Sequence, residues 1–296
     1  MGCNMMGKDA EEFRLTDRQA RELSYHRERA QLASEFVDKP ISFGPVASPK
    51  RRWWNPHWRK YALLRQWSLA GKTALVVGCG YGEDAIRLSR LGLDVYASDL
   101  SPDSIAIATA RAKKFAGRVI DFQQMAAENL AYPDDTFDLI FMSDIFHHVD
   151  IPETLRELRR VAKPGCILLS LEMYTHSWLE RIRQSPFIKR RLYPVMSTWL
   201  YGFSADQLYI TEDERKLTEK DIALIRDSLD SMHTDWFYFL VDRLIPNRFT
   251  LAAVFDRMVM KLAGPAGAIL GGRVVFWGRL LTNHEHCQPG RTHLPG

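Results

Sequence analysis

With 296 residues, 46% of them hydrophobic and 26% charged, the chain can build one large domain or a domain with a cap, and global disorder is not expected. A formal net charge of +4 is modest for this length and speaks against nucleic-acid binding, which needs basic residues gathered on one face. The four cysteines, Cys3, Cys79, Cys166 and Cys287, form no C-x-x-C pair, which argues against a disulfide framework or zinc site and for a reducing, cytoplasmic setting.

The opening residues lack an apolar run before a cleavage site, so no secretory signal is expected. Met1-Gly2 is similar to an acylation start, but Met6 stands where Ser or Thr is wanted. Residues 8–37 are dense in Glu, Arg, Ala and Gln and predict one or two exposed helices with solvated charges. Pro40, Gly44, Pro45, Pro49 and Pro56 mark a linker. Its end interleaves Arg51 and Arg52 with Trp53, Trp54 and Trp58. Such a patch suits a nucleic acid or a membrane surface, but one so short is read as a latch packing onto the domain. Residues 1–59 thus form an N-terminal helical lid and linker.

A helix at His57–Trp67 leads into a core over 60–176. The first strand, Ala74–Val77, turns through Gly78, Gly80 and Gly82 into a helix with Ala85, Ile86, Leu88 and Leu91 on one face. A second strand, Val95–Ser98, ends at Asp99, and Ser101 caps a helix reaching Phe115. Further strands are expected at Val119–Gln123, Phe137–Met142 and Cys166–Leu171, with a helix from Pro152 to Val161 stopped by Pro164-Gly165. This alternation predicts an α/β fold: a Rossmann-like, mostly parallel sheet with helices on both faces.

Residues 177–285 are read as cap insertions plus the last two of seven strands. Ser177–Phe203 is a basic, aromatic helical insertion, Glu219–Leu229 a helix capped at Thr218, and Ser231–Leu240 and Arg273–Leu280 the closing strands. Roughly thirty residues between those strands are too many for a hairpin turn, so Val241–Gly272 is an added helical element. Within it, Phe249–Gly272 is interrupted by Asp256, Arg257 and Lys261 and makes a poor membrane span. Residues 286–296 are expected to fray.

Strand, glycine turn, helix, strand and acid make half of a nucleotide-binding unit. The turn lets backbone N–H groups approach a ligand, and an ionised Asp99 can accept from both hydroxyls of a ribose. A dinucleotide turn needs a third glycine where Glu83 stands, and that carboxylate would sit badly beside a pyrophosphate. S-adenosylmethionine has the ribose and adenine, no phosphate, and a positive sulfonium. Here the sequence resembles the class I S-adenosylmethionine-dependent methyltransferases of the small-molecule type, through ALVVGCGYGEDA at Ala74–Ala85, DLSPDSI at Asp99–Ile105, ENLAYPDDTFDLIFMSDIFHHV at Glu128–Val149 and LRELRRVAKPGCILLSLE at Leu155–Glu172.

That resemblance implies a cofactor wall from Gly78, Cys79, Gly80 and Gly82, ribose binding by Asp99, an adenine contact from Leu100, an adenine edge read at Ala127 and Glu128, and Ser143 facing the sulfonium. The family usually has acids where this chain has Val76 and Ala126; Glu128 and Glu83 are the acids that could stand in. His148, four residues after Asp144, is similar to the active-site histidine of phosphoethanolamine methyltransferases, where a tyrosine assists; Tyr25 and Tyr61 are the candidates here. It is the catalytic residue expected, with a structural lid as its other reading. No metal site is expected. Glu172, Tyr174 and His176 could line the acceptor pocket. Trp53, Trp54, Trp58, Trp178, Trp199, Tyr201, Trp236, Phe237 and Tyr238 imply an apolar or aromatic small-molecule acceptor, or else pack the insertions. The activity expected is methyl transfer to such an acceptor; the alternatives are a lipid or quinone methyltransferase at a membrane surface, and a protein that binds the cofactor without transferring methyl.

Overall fold

The computed structural model describes residues 15–21, 23–24, 36–192, 195, 216–241, 245 and 249–282. Tyr25, Trp199, Tyr201, Cys3, Cys287 and residues 286–296 lie outside them.

Seven strands form one sheet in the order β3-β2-β1-β4-β5-β7-β6. They are β1 (Thr73–Val77), β2 (Asp94–Asp99), β3 (Ile120–Gln124), β4 (Phe137–Ser143), β5 (Ala162–Met173), β6 (His233–Phe237) and β7 (Arg273–Arg279). The first five pair in parallel, and β7 runs antiparallel between β5 and β6. The strand order reverses between β1 and β4, so the carboxyl ends of those strands open the crevice where ligands of such sheets bind. The continuous apolar run of β1 follows from this position: Ala74 to Val77 are all buried, as a central parallel strand covered on both faces requires.

The main helices are α1 (Pro56–Leu64), α2 (Glu83–Arg90), α3 (Pro102–Phe115), α4 (Ile151–Val161), α5 (Ser177–Arg183), α6 (Glu219–Arg226) and α7 (Thr250–Ala263). Their starts obey local chemistry. Asn55, Ser101 and Asp150 each accept a backbone N–H three residues on, ahead of a proline in the first turn of α1, α3 and α4. Asp221 accepts from the Thr218 backbone at 2.8 Å to start α6. Two apolar layers result. One packs α1 and α2 on the sheet around Tyr61, Leu64, Ile86, Leu88 and Phe141; the other packs α4 and α6 on the opposite face around Phe137, Phe146, Leu158 and Ile225.

Three boundaries differ from the expectation. Pro164-Gly165 does not stop a helix, because α4 ends at Val161 and Ala162 is already extended. The pair sits instead within β5, where the register slips between Phe137 and Leu139 and Gly165 takes φ 81°. Strand β6 is only five residues long, and Tyr238 follows it at φ 64°, a conformation no strand continues through. Val119 is 94% exposed and precedes β3 rather than opening it. The element between β6 and β7 is helical, as its length requires: α7, a 3-10 turn at Gly264–Ala266 and a short helix at Gly267–Leu270.

Candidate active site

At the end of β1 the chain turns through Gly78 (φ 66°), Gly80 (φ 50°) and Gly82 (φ 80°). The three have different reasons to lack a Cβ. One at Gly78 would lie 1.9 Å from Ile145 Cδ1, and one at Gly82 2.9 Å from Ala108 Cβ; one at Gly80 would meet nothing within 4 Å. Gly78 and Gly82 therefore pack the turn against its neighbours, and Gly80 faces open space at the carboxyl edge. Cys79 is buried, and burial followed by the nearby Asp99 pushes its thiol well up, so it stays protonated.

Asp99 ends β2 and binds the turn: Oδ2 accepts from Gly80 N at 2.8 Å and Oδ1 from Ser101 N at 2.9 Å. These bonds hold the carboxylate in one orientation, and an ionised carboxylate has about four acceptor positions in all. A narrow cleft of about 80 Å³ runs from Gly78 and Asp99 past Leu100, Ala127 and Ile145 to His148. Its walls are mostly apolar, with the Asp99 carboxylate at one end and Glu128 at the rim, which suits a flat base carried on a ribose. The cofactor's adenosine half therefore fits the residues present.

Residues at the N-terminus close the cleft's rim. Arg18 donates to Glu128 and to the His148 carbonyl, Gln19 Nε2 donates to Glu128 Oε2 at 3.1 Å, and Asp150 N donates to Glu128 Oε1 at 2.9 Å. Glu128, expected to read the adenine edge, here fastens residues 18–19 over the cleft. Sequence reasoning had no means to pair Arg18 with an acid 110 positions away.

The largest addition lies at the end of β4. Lys60, on α1, has a side chain 1% exposed, and its ammonium donates to Asp84 Oδ2 at 3.0 Å and to the Ser143 hydroxyl. Ser143 in turn donates to Asp84 Oδ2 at 3.2 Å, Arg87 reaches Oδ1 at 3.3 Å, and the Tyr61 hydroxyl also donates to Oδ1. Burial alone would raise the Asp84 pKa, but Lys60 and then Arg87 outweigh it and hold the carboxyl well below the usual carboxylate range. Burial, then Asp84, pushes the Tyr61 phenol well above its ordinary value. Val76, where the family has an acid, is buried in the apolar layer with Tyr61 and Phe141. The acid at this end of the sheet comes from α2, as Asp84 rather than Glu83.

The loop after β4 is held from β5. Glu172, fully buried, accepts from Ile145 N at 3.0 Å, Phe146 N at 3.1 Å and the Ser170 hydroxyl at 3.1 Å, and lies 3.0 Å from His147 Nδ1. It is a brace, not a pocket wall. Tyr174 is likewise buried, its ring 4.7 Å from that of Trp236. The His147 and His148 rings lie 4.1 Å apart, so the brace orients the second imidazole through the first. Asp144, His147 and Glu172 each bring a ligand atom within 4.8 Å of the others, but Arg273 donates to Asp144 Oδ1 at 2.7 Å, and a guanidinium there opposes a second cation.

A cavity of about 390 Å³ lies between the linker and the start of α2, lined among others by Gly44, Pro45, Arg51, Arg52, His57 and Trp58, with Tyr61, Asp84 and Arg87 behind them. His57 is open to solvent within this cavity while protein surrounds it. That enclosure, then Lys60 and Arg273, lowers its pKa to about 4, so the ring is neutral at neutral pH.

Residues 75–170 match a family described as a methyltransferase domain. The chain is 26% identical over 252 residues to the ubiquinone biosynthesis O-methyltransferase of Cereibacter sphaeroides, across 76% of this chain and 99% of that one. It is 34% identical over 145 residues to the 2-phytyl-1,4-naphtoquinone methyltransferase of Synechococcus elongatus, across 46% of this chain and 61% of the relative. Geranyl diphosphate C-methyltransferase from Streptomyces coelicolor A3(2) shares the fold at a TM-score of 0.54 with 12% identity, over 90% of this chain and 99% of its own. The glycine turn, the acid ending β2 and a sheet closed by one antiparallel strand define a nucleoside-binding transferase. Residues 75–170 form a methyltransferase domain that resembles the class I S-adenosylmethionine-dependent type.

Proposed function

We propose that this enzyme methylates an oxygen on a small hydroxylated aromatic ring of the quinol class. The observation that carries the reading is the 390 Å³ cavity, whose lining joins Trp58 and Pro45 with Tyr61, His57 and Asp84 of the Lys60–Asp84–Ser143 cluster. A ring stacks on the flat apolar surfaces, and its hydroxyls meet the polar groups. Relatives named for ubiquinone and phytyl-naphtoquinone support the same substrate class.

In this reading Gly78, Cys79, Gly80 and Gly82 form the backbone wall of the cofactor cradle and Asp99 takes the ribose diol. Leu100 and Ala127 enclose adenine, Glu128 closes the lid over it, and Ser143 faces the sulfonium. The cofactor supplies an electrophilic methyl group whose bonding pair returns to sulfur. The protein supplies alignment, dryness and a place for the acceptor's proton. His148, which lines the cofactor cleft rather than the acceptor cavity and is oriented through His147 and Glu172, is the base the resemblance implies for that proton. Arg18 and Gln19 keep water out from above.

The test is S-adenosylhomocysteine release with short-chain soluble hydroquinones and catechols, with the methoxy product identified by mass spectrometry. Turnover on hydroxyarenes and a KM raised by Trp58→Ala are expected. Transfer only to amines, or none to any hydroxyarene, would sink the acceptor assignment.

A further inference from the structure

We propose that the outer face of α7 is a docking surface for an anionic lipid bilayer. The helix is built inside out. Its two oppositely charged central residues are buried: Asp256 accepts from Leu240 N at 2.6 Å and Phe239 N at 3.0 Å, and Arg257 donates to the Trp236 carbonyl and to Asp235 Oδ1, each at 2.6 Å. Met260 packs inward with them, but four other large apolar residues point away from the sheet. Leu251 is 87% exposed, Phe255 65%, Met258 50% and Leu262 89%, at spacings of four, three and four that align them on one side of the helix. A surface helix normally shows the reverse. The Asp256 carboxylate and the two terminal nitrogens of Arg257 bond to β6 and the turn after it, so the apolar ridge is what the helix offers outward.

Charge selects the occupant. The only acid within Thr250–Ala263 is Asp256, which is buried and bonded. Lys261, exposed on the last turn, holds its ammonium 4.8 Å from the centre of the Trp53 ring. Trp53 follows Lys50, Arg51 and Arg52, all exposed, and residues 44–58 contain no acid. An apolar ridge bordered by cations matches the interface of an anionic membrane, with side chains among acyl chains and ammonium and guanidinium groups at the phosphates. Two copies face to face would bring these cations together, and a nucleic acid would leave the ridge in water. No helix among the described residues is long and apolar enough to cross a membrane, and fourteen residues reach only about 21 Å, so α7 lies in the plane of the surface. The Trp53–Lys261 contact ties this surface to the linker whose Arg51 and Arg52 also line the cavity.

The experiment is co-sedimentation of the full chain with phosphatidylcholine vesicles, with and without phosphatidylglycerol. The wild-type chain should pellet with the anionic vesicles and be released by salt. Phe255→Ser/Leu262→Ser should lower the partition coefficient at least tenfold, and Lys261→Gln about fivefold. S-adenosylmethionine affinity by calorimetry should stay unchanged in both, which separates this surface from the active site and from the acceptor assignment. Leu251→Ser, at the exposed first turn, gives the same reading should the double variant fail to fold. No pelleting of the wild-type chain overturns the proposal, as does equal pelleting of the ridge variants. So does a concentration-dependent dimer that the ridge variants abolish while anionic vesicles bind nothing.

Discussion

The ammonium of Lys60 stands 3.0 Å from Asp84 Oδ2 with its side chain almost wholly buried, joining the helix before β1 to the helix after it. Through Ser143 the same ammonium reaches the end of β4. One buried cation thus ties together the two sides of the crevice and the strand between them. Removing it leaves Asp84 with Arg87 as its one cation beside the Tyr61 and Ser143 hydroxyls.

Lys60→Met should therefore destabilise the fold by about 3 kcal/mol, the cost of stranding one member of a buried pair, and Lys60→Met/Asp84→Leu by less than the single change. Urea unfolding followed by far-UV circular dichroism measures both. The Asp84 carboxyl is held low in the folded state, so its contribution is complete above the ordinary carboxylate range and is lost as pH falls through the folded value. Equal midpoints for the wild type and Lys60→Met would dismiss the pair as an anchor.

Gly78 and Gly80 should separate stability from binding. Gly78→Ala drives a Cβ into Ile145 and should cost about 2 kcal/mol, in part recovered by Ile145→Ala. Gly80→Ala meets no protein atom and carries only the strain of its positive φ, about 1 kcal/mol, yet places a methyl group where the cofactor passes. Thermal melts with and without S-adenosylmethionine distinguish them: the Gly80 variant should lose the ligand-induced rise with little change in the ligand-free midpoint, whereas Gly78→Ala lowers the ligand-free midpoint itself. A full ligand-induced rise in Gly80→Ala would move the cofactor elsewhere.

Asp99→Ala removes the acceptor for Gly80 N and for the ribose together. A charge-assisted hydrogen bond contributes about 1.5–3 kcal/mol, so calorimetric affinity for the cofactor should drop about 30-fold or more. Unaltered affinity would take the ribose away from Asp99.

The two imidazoles should answer to different measurements. His57 has a folded pKa lowered to about 4 against an ordinary value of 6.5, so the unfolded chain binds the proton more readily. Its effect on stability is nil above that ordinary value and becomes a loss as pH falls from about 6.5 toward 4. His57→Gln should flatten this slope in denaturant midpoints between pH 7 and pH 4.5. His148→Ala should instead lower kcat by about a hundredfold with cofactor affinity kept. An unchanged pH slope in His57→Gln would show that the cavity leaves that ring well solvated; an unchanged kcat in His148→Ala would return that residue to a packing role.

Much of the fold was legible because it is written in local chemistry. Apolar runs of four to six residues, glycines where φ must turn positive, and capping side chains before proline mark β1, α2, β2 and α3 without reference to anything distant. The helical insert between the last two strands followed from chain length alone. Pro164-Gly165 misled because the same residues that end a helix also bend a strand, and only pairing with Phe137 and Leu139 decides between them.

The sequence by itself determined the order of strands and helices, the glycine turn and the carboxylate beyond it, since these depend on neighbours a few residues apart. The tertiary structure decided everything that depends on partners distant in sequence: that Asp84 rather than Glu83 serves the end of β4, that Glu128 holds Arg18 and Gln19, that Glu172 braces a loop, and that α7 turns its charges inward. Each is an electrostatic or packing choice among several equivalent side chains. Which one is taken depends on distances of a few ångströms that exist only once the sheet has assembled.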